Sequence, residues 1–248
     1  MRHAVLSDVH GNLEALSAVL ADATAEGALG LLCLGDVVGY GADPVPCVEL
    51  LGARAARVVA GNHEHGALGR LDLGWFNSAA RAAALWTRDQ LGVDHTAYLS
   101  SLGLQAIMGE ATCVHASPRR PEEWDYLISE EDGFRAFGSF DTRLCFVGHS
   151  HRPAVWSLGS GGPDHEDLGG PACHGRQIAF GDGRRYIVNV GSVGQPRDRD
   201  PRAAYMLWDE DERRITLRRV SYDHRKAAAK ILAAGLPRVL AERLALGA

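Results

Sequence analysis

Four short stretches of this chain place Asp, Asn and His directly after an apolar run: Asp8-Val9-His10-Gly11-Asn12, Gly35-Asp36, Gly61-Asn62-His63-Glu64 and Gly148-His149-Ser150-His151. A fifth, Thr112-Cys113-Val114-His115, has the same form. Carboxylate, amide and imidazole groups form the mixed oxygen and nitrogen donor set that divalent transition metals take. There are enough donors here for two metals. A phosphoester resists hydrolysis because water must attack an anion. Two metals about 3.5–4 Å apart neutralise the phosphate oxygens and turn a water into hydroxide near neutral pH. Such a site needs one carboxylate between the metals and terminal ligands on each. Asp36, alone at the end of its run, suits the bridge. Asp8 and His10 are two residues apart, as are His149 and His151, so along an extended chain each pair faces one side.

The elements that must carry these residues follow from the patterning. Runs 3–7, 31–34, 56–60 and 144–147 read as strands. In a sheet of such strands the residues at the strand ends converge on one edge, where α/β folds place their ligands. Leu13, Leu16, Val19 and Leu20 recur at helical spacing behind Asn12, a good N-cap. A short helix runs through Val48, Leu50 and Leu51, an Ala-rich helix spans 77–91, and Asp94 caps another ending near Leu102. Strand, helix, strand in alternation implies parallel pairing. The second half differs. A hairpin is expected over 104–107 and 111–115, and a short acidic helix after Ser129. Further strands are expected at 154–158, 177–180, 186–190, 204–208 and 215–220, as in a mixed sheet. Residues 159–175, rich in Gly, Pro and His, read as a loop or an excursion at a sheet end, and 223–234 and 237–246 as closing helices. Two sheets packed face to face with helices outside account for the whole. No linker divides the chain, so 1–248 reads as one domain with a C-terminal helical segment at about 222–248.

Composition narrows the function. Apolar residues make up 46% and charged residues 23%, ordinary for a globular chain. A net charge of -5 argues against tracking long nucleic acid, which needs clustered Lys and Arg. The five cysteines lack CxxC spacing, and Cys33, Cys113 and Cys145 lie inside apolar runs, so a reduced compartment is expected. The start lacks an apolar leader with a cleavage site, and no stretch is long enough to span a bilayer. The expectation is a cytoplasmic protein without a membrane partner. Trp75, Trp86, Trp124, Tyr126, Trp156 and Trp208 read as packing, Tyr40 as a candidate for lining a pocket, and His65, His95, His165, His174 and His224 as surface.

The order and spacing of these motifs resemble the calcineurin-like metallophosphoesterases. Asn189-Val190-Gly191-Ser192-Val193-Gly194-Gln195-Pro196-Arg197 is similar to a segment of the family's small bacterial and archaeal branch, with Val190 where that branch usually has Pro. The likeness covers about residues 1–220. It implies a four-layer αββα sandwich of two mixed sheets, in the α/β class. It implies that Asp8, His10, Asp36 and His151 hold one metal, and that Asp36, Asn62, His115 and His149 hold a second. His63 would be the catalytic His, which protonates the leaving oxygen or stabilises its charge while a metal-bridging hydroxide attacks in line. Asn12, Asn62, Gln195 and Arg197 are the substrate-binding candidates, with Glu64 or Asn12 orienting groups behind the ligands. With this many His ligands the metals are expected to be Mn2+, Fe or Zn2+ rather than Mg2+ or Ca2+. The expected substrate is a small phosphorylated molecule. The runner-up activities are hydrolysis of a nucleotide or dinucleoside polyphosphate, or of a phosphoprotein. A silent scaffold on the same fold would show gaps among the ligands or at His63, and none is present. A nuclease subunit would show a basic face or an added domain, and neither is visible.

Overall fold

The computed structural model describes residues 1–248. In chain order its elements are β1 (Arg2–Leu6), α1 (Leu13–Ala25), β2 (Gly30–Cys33), α2 (Pro44–Arg54), β3 (Arg57–Val58), α3 (Asn62–Ala67), α4 (Ser78–Gln90), α5 (Val93–Ser101), β4 (Gln105–Met108), β5 (Ala111–Val114), α6 (Glu130–Ala136), β6 (Leu144–Val147), β7 (Ala154–Gly159), β8 (Gly162–Asp167), β9 (Gln177–Ala179), β10 (Arg185–Asn189), β11 (Ala203–Asp209), β12 (Arg214–Val220), α7 (His224–Ala233) and α8 (Arg238–Glu242). One sheet runs β3-β2-β1-β11-β12-β9 and the other β4-β5-β6-β10-β7-β8.

Both sheets are mixed. β1, β2 and β3 are mutually parallel in the first, and β5, β6 and β10 in the second. Alternation along the strands explains the layering. On β11, Ala204, Met206 and Trp208 face the space between the sheets, while Ala203, Tyr205 and Leu207 face α1. On β6, Leu144 and Phe146 point between the sheets, and Cys145 and Val147 pack toward Phe137 near α6. Strands buried on both faces must be apolar at every position, which is why their periodicity reads as a continuous run. The result is helix, sheet, sheet, helix. The closing helices form a further cluster in which Ile231, Leu240 and Leu244 pack with Ala83 and Tyr40.

The expected elements appear with local differences. β3 has two residues where a run of five was expected. β8 lies inside the expected loop 159–175; it is a polar edge strand beside β7, so it lacks the apolar signal of a strand. Gly92 is the N-cap of α5, and Asp94 is its second residue, within the first turn. All five cysteines are free, four of them buried. His65, His95, His165 and His224 are half-buried rather than surface residues, while His174 is exposed. No helix is long and apolar enough to cross a membrane.

Candidate metal centre

The parallel strands direct the chemistry to one edge. Asp8 and His10 follow β1, Asp36 follows β2, and Asn62 and His63 follow β3. From the other sheet, His115 follows β5, His149 and His151 follow β6, and Gln195 and Arg197 follow β10. The two sheets are tied there by His115, whose Nδ1 donates to Leu34 O at 2.8 Å, and by the His149 amide, which donates to Asp8 Oδ2 at 3.0 Å. The expected extended geometry of Asp8-Val9-His10 and His149-Ser150-His151 does not occur. Asp8, His10, Asp36, His149 and His151 all take left-handed backbone, with φ of 54, 50, 51, 64 and 60°. A non-glycine residue held there costs about 1–3 kcal/mol and persists where its surroundings impose it. The curled backbone turns each side chain inward. Two glycines make room: a Cβ on Gly61 would stand 2.1 Å from Asp36 Oδ1, and one on Gly148 2.5 Å from Asp8 Oδ2.

Three groups of donor atoms gather: Asp8, His10 and His151; His10, Asp36 and His63; and Asp36, His115 and His149. Asp36 joins the second and third, and His10 the first and second. All seven residues are buried. Asp8 Oδ1 lies 3.2 Å from His151 Nε2, and Asp36 Oδ2 lies 3.3 Å from His115 Nε2 and 3.6 Å from His10 Nε2. The backbone fixes the tautomers. Nδ1 of His10 meets Val38 O at 3.1 Å, that of His151 meets Gln195 O at 2.5 Å, and that of His115 meets Leu34 O. A carbonyl only accepts, so each Nδ1 carries a proton and each ring turns its Nε2 into the site. His10 Nε2 and His151 Nε2 are 3.1 Å apart, and His115 Nε2 and His149 Nδ1 are 3.2 Å apart. Ring nitrogens so close to one another and to two carboxylates need a proton or a metal cation between them. Asp8 Oδ1 and Asn62 Oδ1 are buried and have no hydrogen-bond partner. The donor set fits divalent metal ions.

Electrostatics agree. Burial raises the Asp36 carboxyl, but the His115, His63 and His10 rings outweigh it and hold it well below the usual carboxylate range. Burial lowers His115, yet Asp36 and Asp8 carry it up to about 9, so with no metal between the donors its Nε2 holds a second proton, which a bound metal would displace. Burial pushes His149 down to about 3 and His63 to about 4, so both rings are neutral at pH 7.

The remaining expected residues fall into two sets. Asn62 and His63 line an open cleft of about 610 Å³. The His63 ring sits against Tyr40, His10 and Phe76, with centroids 4.4, 4.8 and 4.9 Å away. Asn12 is committed elsewhere: its amide oxygen accepts from Ala15 N and its amide nitrogen donates to Gly194 O at 2.9 Å, which ties α1 to the loop after β10. Gln195 Oε1 accepts from Arg197 at 3.1 Å, and Arg197 also donates to Tyr40 OH at 3.3 Å, beside His63 and His151. The buried pair Arg219–Asp198 anchors this loop to β12. Trp75, Trp124 and Tyr126, expected as packing, instead line the cleft together with Phe76. Sequence alone offers no signal for this, because the aromatic residues come from segments without periodicity.

Glu64 does more than orient a ligand. Its carboxylate accepts from the amides of Asp36, Gly61 and Val38 at 2.8, 2.7 and 3.1 Å. It thereby pins the turn after β2 to the start of α3. Burial, with the Asp36 charge second, raises its pKa to about 7. Replacing it by Ala strands three buried donors at about 1–3 kcal/mol each. Glu64→Ala is therefore expected to lose about 3 kcal/mol or more in urea unfolding. A loss under about 1 kcal/mol would mean that water takes over these amides.

A sequence model of the calcineurin-like phosphoesterase superfamily domain matches residues 1–213. An uncharacterised protein of Methanocaldococcus jannaschii is 41% identical over 250 residues, covering 98% of this chain and 97% of that one. The crystal structure of a metallophosphoesterase from Sphaerobacter thermophilus superposes with a TM-score of 0.85 at 42% identity, covering 100% of this chain and 99% of that one. A hypothetical protein from Pyrococcus horikoshii shares the fold, with a TM-score of 0.74 at 19% identity over 100% of this chain and 98% of that one.

Proposed function

Because this chain belongs to the calcineurin-like phosphoesterase superfamily, and so is a metal-dependent phosphoester hydrolase, we propose that it works with two divalent transition metals on a small phosphorylated substrate. Asp8, His10, Asp36 and His151 would hold one metal, and Asp36, Asn62, His115 and His149 the other. The donor chemistry suits Mn2+, Fe or Zn2+. When bound, such ions set positive charge against the phosphate oxygens and bring the pKa of water toward neutrality. The observation that carries this reading is the convergence of the Nε2 atoms of His10, His115 and His151 on Asp8 and Asp36, with each Nδ1 proton held by a backbone carbonyl.

The chain's own groups supply the rest. Arg197, placed beside Tyr40 and His63, gives a fixed positive charge to the phosphate end, and Gln195 holds that guanidinium in place. His63 lines the cleft into which the leaving group departs. Its imidazole is neutral before substrate arrives. A phosphate drawn against it favours the protonated ring, so it meets the leaving oxygen with a hydrogen bond or a proton. Tyr40 and Phe76 flank the ring and restrict its rotation.

Chelation followed by dialysis is expected to stop turnover of p-nitrophenyl phosphate and bis(p-nitrophenyl) phosphate, and added Mn2+ to restore it. Turnover of both esters that persists in metal-free protein would end this reading. The ratio of the two rates on the restored protein separates a monoesterase from a diesterase.

A further inference from the structure

The cleft above the metal centre has a composition that the phosphate does not require. One wall is Leu71, Trp75, Phe76 and Ala80, and the other is the segment 122–126. Tyr126 stacks on His149 at 4.0 Å, and Trp124 stands edge-on to His115 at 6.1 Å, so these rings begin where the donor cluster ends. Trp124 holds left-handed backbone, with φ 59°, and Trp75 is 84% exposed. The Asn62 amide at the floor is 8% exposed, and its oxygen has no partner. Three carboxylates share the lining. Glu123 pairs with Arg120 at 2.5 Å, whereas Glu122 and Asp125 have no ion-pair partner, and no Lys or Arg lines the cleft.

Resting on the phosphoesterase reading above, we propose that this cleft is the leaving-group subsite and that it takes a phosphoester whose alcohol bears a cationic head, of the quaternary-ammonium kind. Aromatic faces attract a cation through their quadrupoles, and quaternary ammonium groups are recognised by such surroundings. Rings alone would suit a nucleobase equally. The two unpaired carboxylates and the absence of basic residues decide for positive charge, and they repel a polyphosphate chain lying along the cleft. In the reaction the oxygen of water bonds to phosphorus, the bond from phosphorus to the alcohol oxygen breaks, and one proton of water ends on the departing alcohol. The cationic alcohol then remains against Trp124 and Tyr126 until it diffuses away.

The test has two arms on the full chain. In the first, choline is titrated into metal-free protein and followed by calorimetry and tryptophan fluorescence. Saturable binding is expected, weakened about tenfold by Trp124→Ala and by Glu122→Gln with Asp125→Asn, and absent for the neutral isostere 3,3-dimethylbutanol. The double carboxylate variant changes only exposed side chains, so it keeps the test alive if Trp124→Ala does not fold. In the second arm, Mn2+-loaded protein is expected to hydrolyse phosphocholine about tenfold better in kcat/KM than 3,3-dimethylbutyl phosphate or adenosine monophosphate. Equal binding of choline and its isostere, no choline binding, or a preference for the nucleotide would overturn the proposal. Choline binding without hydrolysis of any ester would instead sink the phosphoesterase reading and leave the cationic subsite standing.

Discussion

Asp36→Asn is expected to all but eliminate turnover and to lower affinity at both metal positions. Asp36 is the one carboxylate shared between two of the three donor groups, with Oδ2 within 3.6 Å of His10 Nε2 and 3.3 Å of His115 Nε2. The amide keeps the shape, and its oxygen can still accept from His63 N, as Asp36 Oδ1 does at 2.9 Å. What it loses is the charge and one acceptor, at a place where several imidazoles crowd together. Losing a partner behind a ligand typically costs about 10–100-fold in metal affinity, and losing the shared ligand should exceed that range. Asn62→Ala, which removes a neutral oxygen from one side, should cost less. Near-normal metal content and rate in Asp36→Asn would remove it from the bridging position.

His63→Ala is expected to slow hydrolysis of alkyl phosphoesters by about 10²–10⁴-fold, the usual range for a lost acid–base group. An alkoxide leaves poorly without a proton, whereas a nitrophenolate spreads its charge over the ring and needs little help. Nitrophenyl esters should therefore suffer much less, and metal content should stay unchanged. The measurement is kcat/KM against leaving groups of graded pKa. A dependence in the mutant no steeper than in wild type would confine His63 to positioning the phosphate. The ring is clamped between Tyr40 and Phe76, so an effect through packing alone would slow all esters alike.

The clustering of Asp, Asn and His could be read from the chain because such residues at strand ends leave a local signature. An apolar run stops and Gly, Asp, Asn or His follows, as at 31–36 and 144–151. The strand 144–147 was legible to the residue because both its faces are buried. Where burial is one-sided or absent the signal fades, which is why the polar edge strand Gly162–Asp167 reads as loop. The spacing at Asp8, His10, His149 and His151 reads as extended because spacing does not show φ, whereas the folded backbone there is left-handed. Asn12 was expected at the substrate, but its amide faces a helix start and the Gly194 carbonyl, partners that lie far apart in the chain. The aromatic cleft was illegible for the same reason: Trp75 and Phe76 meet residues 122–126 only after both sheets are formed.

The most direct test of the central claim is the number of metal ions the site holds. Protein stripped by chelation, titrated with Mn2+ and freed of excess metal would be assayed by elemental analysis alongside its activity. Two transition-metal ions per chain, with activity rising as the second position fills, is the predicted result. Full activity with one ion per chain, or with none, would contradict it.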